Sequence, residues 1–381
     1  MEKTINECFI QIQNGANIKQ GIKNGGFPIT RIETISNDKF NRDKMGYAGI
    51  TDASKYADYI LEDDDLLMSH INSPQYLGRT VLYKKVDGEI IIHGMNLLRL
   101  KANKEINPSY ARYYFYGKNF RQQIAKITKK SVNQASFAVN DLKRIKVYLP
   151  EIEIQSNIVH RLDTVKELID LYDEVLNKYD LLIKARFVEM FGTPYGNEKG
   201  FPMMTVDDVI EFTGGAQPDK KYFEYEATAD NIRLIQIRDY KTDSYVTYIP
   251  RSMAKRFCNA DDIMIGRYGP PIFQILKGIE GAYNVALMKA TPKRGNKEFI
   301  RCFLKQDCLF TYLDKLSQRT AGQSGIEMPA LKAYPFPYPP VELQEQFADF
   351  VKQVDKSKLA VQQSLEKTQQ LFDSLMQEYF G

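Results

Sequence analysis

No run of 18 apolar residues occurs in the 381-residue sequence, so a membrane-spanning helix is not expected. The opening Met1-Glu2-Lys3-Thr4-Ile5-Asn6 carries neither the basic nor the apolar block of a secretory leader. Cysteine is scarce: Cys8, Cys258, Cys302 and Cys308 show no metal-ligand spacing, and their low density suits free thiols in a reducing cytoplasm. Histidine is scarcer, with His70, His93 and His160 too scattered to form a ligand cluster, so no metal site is expected. The glycine pairs Gly25-Gly26 and Gly214-Gly215 lack the G-x-G-x-x-G spacing of a cofactor loop, and no G-x-x-x-x-G-K-[ST] phosphate loop is present. Two short strings tempt toward catalysis. Pro218-Asp219-Lys220-Lys221 superficially matches a nuclease motif that is short and common. Tyr338-Pro339-Pro340 superficially matches an amino-methyltransferase tetrapeptide but has no Asn or Asp before it. These absences argue against bond-making chemistry in this chain.

What is present is a duplication. Shifting the numbering by 189 lays 150–192 on 339–381 without a gap, with ten of the 43 pairs identical. Pro150-Glu151-Ile152-Glu153-Ile154-Gln155 falls on Pro339-Pro340-Val341-Glu342-Leu343-Gln344, and Glu189-Met190-Phe191-Gly192 on Glu378-Tyr379-Phe380-Gly381. Both copies carry an apolar seam with steps of three and four. In the first it is Ile158, Leu162, Val165, Ile169, Tyr172, Leu176, Tyr179 and Ile183; in the second it is Phe347, Val351, Val354, Val361, Leu365, Phe372 and Leu375. A seam of period 3.5 over about five heptads, broken only by Arg186, Lys358 and Thr368, is the signature of a coiled coil. The two prolines stand where a helix starts. An α+β architecture is expected: two similar globular units, 1–149 and 193–338, separated by long helices at 150–192 and 339–381 that form an antiparallel coiled coil with a pseudo-two-fold repeat.

The globular units share a plan. In the first, an acidic turn (Asp63-Asp64-Asp65) enters the apolar strand Leu66-Leu67-Met68-Ser69, and 81–83 reads as a strand paired with 90–92 across Asp87-Gly88. A helix over 108–128 follows, then the loop Lys129-Lys130-Ser131-Val132-Asn133-Gln134. In the second, Asp261-Asp262 enters Ile263-Met264-Ile265-Gly266, a helix spans 299–317, and the loop is Arg319-Thr320-Ala321-Gly322-Gln323-Ser324-Gly325. Charge follows the same division. Residues 1–150 hold 23 basic against 15 acidic side chains, whereas each helical repeat is acidic. The stretch 110–146 alone has nine Lys or Arg and one acid, interleaved with Tyr110-Ala111-Arg112-Tyr113-Tyr114-Phe115-Tyr116, as on a polyanion-binding face.

A globular unit ending in a Gly-Gln-Ser-like loop, a strand, a Pro-x-x-Glu-x-Gln helix start and a heptad helix closing in Glu-x-Phe-Gly, all twice, resembles the specificity subunit of type I restriction–modification systems. The resemblance covers essentially the whole chain. The first loop departs from it, reading Asn133-Gln134-Ala135-Ser136 where the second reads Gly322-Gln323-Ser324-Gly325. The resemblance implies two target recognition domains, each reading half of a bipartite double-stranded DNA site, on helices that set the spacing. It implies two methyltransferase (modification) subunits and restriction (endonuclease and translocase) subunits as partners. S-adenosylmethionine, and ATP with magnesium, are then expected on those partners and no cofactor on this chain. A single-chain DNA methyltransferase or nuclease, and a coiled-coil scaffold without a DNA role, are the alternatives. The absent motifs disfavour the former and the basic stretch the latter.

Base reading needs side chains that reach groove edges, with Arg on guanine and Asn or Gln on adenine as the stronger pairings. The candidates are His70, Lys129, Lys130, Asn133 and Gln134 in the first unit. In the second they are Lys220, Lys221, Arg238, Arg267, Tyr268, Arg319 and Gln323. A lysine or arginine among them can instead hold a phosphate, which positions the protein without specifying sequence. Arg238, in Ile237-Arg238-Asp239-Tyr240, has an acid beside it to pair with.

Overall fold

The shared plan of the two globular units reappears as two matching four-stranded sheets. The computed structural model describes residues 2–21, 25–36, 38–130, 134–269, 271–317 and 325–381. It divides into two units, Met1–Asp173 with Gln363–Gly381, and Glu174–Gln362. Each long helix is therefore shared: one half packs with the globular part of the first unit and the other half with that of the second.

In the first unit, β1 (Phe9–Asn14), β2 (Leu66–Ser69), β3 (Thr80–Leu82) and β4 (Leu97–Ala102) pair antiparallel in the order β1-β4-β2-β3. All four residues of β2 are buried because the sheet is covered on both faces. Side chains alternate across the pleat. Leu66, Met68, Leu98 and Leu100 enter the core shared with the helices, while Leu67 and Leu97 face a second cluster with Val81, Tyr83 and Ile91. The acidic turn also holds the sheet together, since Asp65, buried, sits 2.7 Å from the buried Arg99 of β4. The helices α1 (Pro108–Tyr116) and α2 (Lys118–Ile127) complete this globular part, and α3 (Ile152–Phe191) leaves it.

The second unit repeats the topology, with β5 (Ile210–Gly214), β6 (Ile263–Gly266), β7 (Gln274–Lys277) and β8 (Leu287–Pro292) in the order β5-β8-β6-β7. Its acidic turn pairs likewise, Asp262 lying 3.4 Å from Lys289 of β8. The helices α4 (Lys297–Leu304) and α5 (Asp307–Ser317) follow, then α6 (Val341–Phe380). No described helix is long and apolar enough to cross a membrane.

Two expectations are corrected. The segment 90–92 is not a strand: Ile92 makes only isolated bridges, to Ile29 and Ile60, and β3 pairs with β2 instead. The single helices expected over 108–128 and 299–317 are each two. Gly117 breaks the first because a helix end packs on it; a side chain there would start 2.4 Å from Cβ of Phe380. The second breaks at Lys305 and the buried Gln306, whose amide donates to the carbonyl of Cys302 at 3.0 Å.

The repeated Pro-x-x-x-x-Gln explains how each long helix is fixed. Gln155 Oε1 accepts from the backbone N–H of Asn107, the cap of α1, at 2.8 Å, and its Nε2 donates to the carbonyls of Pro150 and Glu105. Gln344 does the same to Asn296, the cap of α4, at 2.8 Å, and donates to Pro339. Both glutamines are fully buried with all these polar atoms satisfied.

Within each unit the two helix halves run antiparallel. In the first, Arg161 Nη1 lies 3.2 Å from the Tyr379 hydroxyl, and Leu162 shares the core with Phe372, Leu375 and Tyr379. In the second, Lys358 pairs with Asp180 at 2.6 Å, and the Phe187 and Phe347 rings meet at 5.5 Å. Every predicted seam residue is buried or half-buried. The seam breakers are absorbed as well: Arg186 stacks on Phe350 and pairs with Glu189, and Thr368 bonds back to the carbonyl of Ser364.

Candidate nucleic-acid interface

The same corner occurs in both units, where the central strand leaves its sheet and meets the residues that close the repeated loop. In the first unit, Ile71-Asn72 follows β2 and pairs with Ala135-Ser136, which in turn pairs with Lys129-Lys130. The loop expected at 129–134 thus begins as a strand. Lys129 and Lys130 are held in an extended ribbon with both side chains exposed, beside the exposed Gln134. Asn133 lies outside the described residues.

His70 is the exception. Its ring is buried edge-on to Phe137, and burial pushes its pKa down to about 4, so it is neutral at pH 7. It supports the corner from inside and presents no edge to a groove, because the ribbon 135–137 covers it; the N–H of Phe137 donates to its carbonyl at 3.2 Å. In its place stand residues that sequence reasoning missed. A cleft of roughly 350 Å³ beside the ribbon is lined by Glu33, Ser36, Asn72, Tyr76 and Arg79, with the Arg79 guanidinium 4.6 Å over the Tyr76 ring. For Asn72, Tyr76 and Arg79 the only signal was their place just past the apolar strand; Glu33 and Ser36 come from a segment well before it and carried none.

In the second unit, Arg267-Tyr268 follows β6 as His70-Ile71 follows β2. Tyr268 bridges Gly325, the residue that matches Ser136 under the 189-residue shift. Arg267 is half-exposed, with its guanidinium 5.2 Å from the Tyr268 ring. Arg319 and Gln323 lie outside the described residues. Arg238 is reached through Ile237, whose side chain packs on Gly266 at the end of β6. It donates to Thr247 Oγ1 at 3.0 Å and lies 3.9 Å from Asp239. It also lines a cleft of roughly 570 Å³ with Tyr225, Tyr245 and Tyr248. Tyr225 and Tyr245 are 73 % and 66 % exposed. Aromatic faces beside an arginine are what bases or sugars pack on.

Lys220 and Lys221 stand apart on a one-turn helix. Asp219 caps it, Lys221 lies 3.4 Å from Asp219 and 5.0 Å from the Tyr222 ring, and both lysines are exposed. The nuclease-like string is therefore a helix cap. No group of three or more His, Cys, Asp or Glu able to hold a metal occurs among the described residues.

The basic stretch 110–146 is only partly a surface. Its aromatics Tyr110, Tyr113, Tyr114 and Phe115 are core, packed on Phe120, Phe372 and Phe380 rather than open to a ligand. Arg112 is drawn to Asp163 and Lys146 to Glu2. Lys118, Lys126, Lys129 and Lys130 remain exposed and without an acidic partner among the described residues.

A model of the type I restriction modification DNA specificity domain matches residues 2–178 and 198–370. The putative type I restriction enzyme MjaX specificity subunit of Methanocaldococcus jannaschii is 30 % identical over 378 aligned residues, covering 90 % of this chain and 84 % of that one. The EcoKI specificity subunit of Escherichia coli is 24 % identical over 168 residues, 44 % of this chain and 36 % of that protein. The crystal structure of the M. genitalium S subunit of a type I restriction–modification system matches in fold, with TM-score 0.56 and 13 % identity over 100 % of this chain and 96 % of that one. A chain from a structural study of type I complex assembly and conformational transition matches equally, with TM-score 0.56 and 17 % identity over 100 % and 97 %.

Proposed function

Because this chain belongs to the type I restriction–modification DNA specificity subunits, we propose that each unit reads its half of a bipartite double-stranded site through its strand-end corner. The chain itself is a sequence-specificity subunit with two target recognition domains and no catalytic role. The observation that carries the residue-level reading is the repetition of one corner: the end of β2 beside Ala135-Ser136, and the end of β6 beside Gly325. Lys129 and Lys130 hold phosphates there, while Asn72, Arg79 and Gln134 face base edges. In the second unit Arg267, backed by Tyr268, and Arg238 with its tyrosines take the reading role, and Arg319 and Gln323 extend it.

Two modification subunits dock on the helices, and restriction subunits join that assembly. Support comes from the exposed identities of the repeat. Glu153 and Glu342, Lys178 and Lys367, Leu182 and Leu371, and Glu189 and Glu378 match and face solvent. Residues 178, 182 and 189 fall on one helix stripe, as do 367, 371 and 378. A leucine kept exposed twice has no folding reason in this chain, whereas one partner binding twice supplies one. The modification subunits bring S-adenosylmethionine and the restriction subunits bring ATP and magnesium, in the cytoplasm where the DNA is.

The Lys129→Ala/Lys130→Ala variant tests the corner. Its DNA affinity is expected to fall, and its slope of log affinity against log salt to flatten by roughly two units, about one per lost phosphate contact. Band shifts of the assembled complex across a salt series measure it. An unchanged slope means that the ribbon faces solvent or protein.

A further inference from the structure

A groove of roughly 890 Å³ runs along the half of the helix pair that belongs to the second unit. Its floor is apolar, built from Ile183, Phe187, Val351 and Leu359, and Leu359 is 56 % exposed. Its rim is basic. Asp180 is already paired with Lys358 at 2.6 Å, and Asp355 with Lys277 at 3.4 Å. Lys305, Lys352 and Lys356 line the same groove with no acidic partner among the described residues.

The 189-residue shift shows what stands at the matching places in the first unit. Lys352 and Lys356 correspond to Asp163 and Glu167, and the exposed Leu359 corresponds to Asp170; Lys184, which corresponds to Asp373, is itself taken up by Asp307 at 2.9 Å. One pair runs the other way: Asp355 corresponds to Lys166, which is taken up by Asp170 at 3.2 Å. Asp163 is bound by the Tyr113 hydroxyl at 2.6 Å. Two helix halves that share a docking stripe on one side thus carry opposite charge on another. A duplicated scaffold bound identically twice has no use for that reversal.

The geometry points to the groove of the second unit as a docking site for an acidic segment bearing apolar side chains, contributed by a modification subunit. The site exists on one half only, so two copies of the same partner are held unequally. This rests on the proposed docking of modification subunits along the helices. The apolar floor selects a peptide over a nucleic acid, because a phosphate backbone gains nothing from covering Leu359 or Ile183. The unpaired lysines select carboxylates, and the same segment placed on the first unit meets Glu167 and Asp373, where like charges oppose it.

Titration of the full chain with its modification subunit, followed by native mass spectrometry, tests this. Two affinities separated by about tenfold or more are expected, with the gap narrowing as salt rises. Lys352→Glu/Lys356→Glu is expected to weaken the tighter site about tenfold and leave the other unchanged. Glu167→Lys/Asp373→Lys, both at exposed positions, is expected to bring the weaker site toward the tighter. Leu182→Ala/Leu371→Ala, on the shared stripe, is expected to weaken both. Equal affinities in the unaltered chain, or two charge variants that bind both copies as the unaltered chain does, overturn the inference while leaving docking itself intact. A lysine variant that loses DNA affinity with assembly untouched assigns the groove to nucleic acid and also overturns it. If no modification subunit binds in any buffer, the docking reading fails and this inference falls with it.

Discussion

Phe187→Ala is expected to destabilise the second unit by about 3–5 kcal/mol, a large share of a domain's typical stability. Phe187 belongs to α3, yet its ring meets Phe299 of α4 at 5.5 Å in a stacked arrangement, Phe347 of α6 at 5.5 Å edge-on, and Phe191 at 5.0 Å. Three helices converge on one side chain that is fully buried. Truncating it leaves a cavity whose walls are held by separate elements, so the site cannot collapse to fill it. Hydrogen exchange resolved by peptide should show β5, β6 and β8 losing protection while β2 and β4 keep theirs. The matching position in the first unit is Met376, which is only half-buried, so Met376→Ala is expected to cost less. Equal loss of protection in both units would mean that the core around Phe187 is not the local unit described.

Lengthening the helices is expected to change the DNA site rather than the stability. Inserting seven residues after Tyr172 and seven after Val361 keeps the 3.5-residue seam in phase and extends each helix by roughly 10 Å. The positions suit the purpose, because the two units part between Asp173 and Glu174 and between Gln362 and Gln363. Neither globular core is interrupted. If the helices are the ruler, the spacer between half-sites grows by about three base pairs, at ~3.4 Å each, while both half-sites stay the same. Sequencing methylated sites in cells carrying the lengthened chain and its partners reads this directly. A folded, active variant that keeps the original spacer contradicts the ruler.

Features with a local or repeated cause were legible from the amino-acid order. The seam of α3 and α6 shows in steps of three and four, and an acidic turn entering an apolar strand in each unit displays the shared strand plan. The 189-residue shift also marked Gln155 and Gln344, although not that each would fasten a helix cap 48 residues away. What stayed hidden depends on distant contacts. Gly117 ends α1 because Phe380, more than 260 residues later, packs on it. Tyr110 and Tyr114 read as surface aromatics among lysines until that same phenylalanine covers them. His70 and Arg267 hold equivalent places, yet one is buried under Phe137 and the other is half-exposed; no property of either residue alone decides that. Tyr225 and Tyr245 stand on loops without periodicity, where pattern carries no information about which side chains converge.

The central claim is that each unit reads its own half-site through its own strand-end corner, and one variant tests it most directly. Arg267 is half-exposed, pairs with no acid among the described residues, and rests on Tyr268, so Arg267→Ala removes a reading group without emptying the core. A lost arginine–base pairing reduces discrimination by about 1–3 kcal/mol at the position it served. Genome-wide mapping of methylated sites, with the variant assembled with its partner subunits, is the measurement. The account predicts that one half-site relaxes at one or two positions while the other half-site and the spacer remain as they were. Relaxation of both half-sites together, or two half-sites as sharp as before, contradicts it.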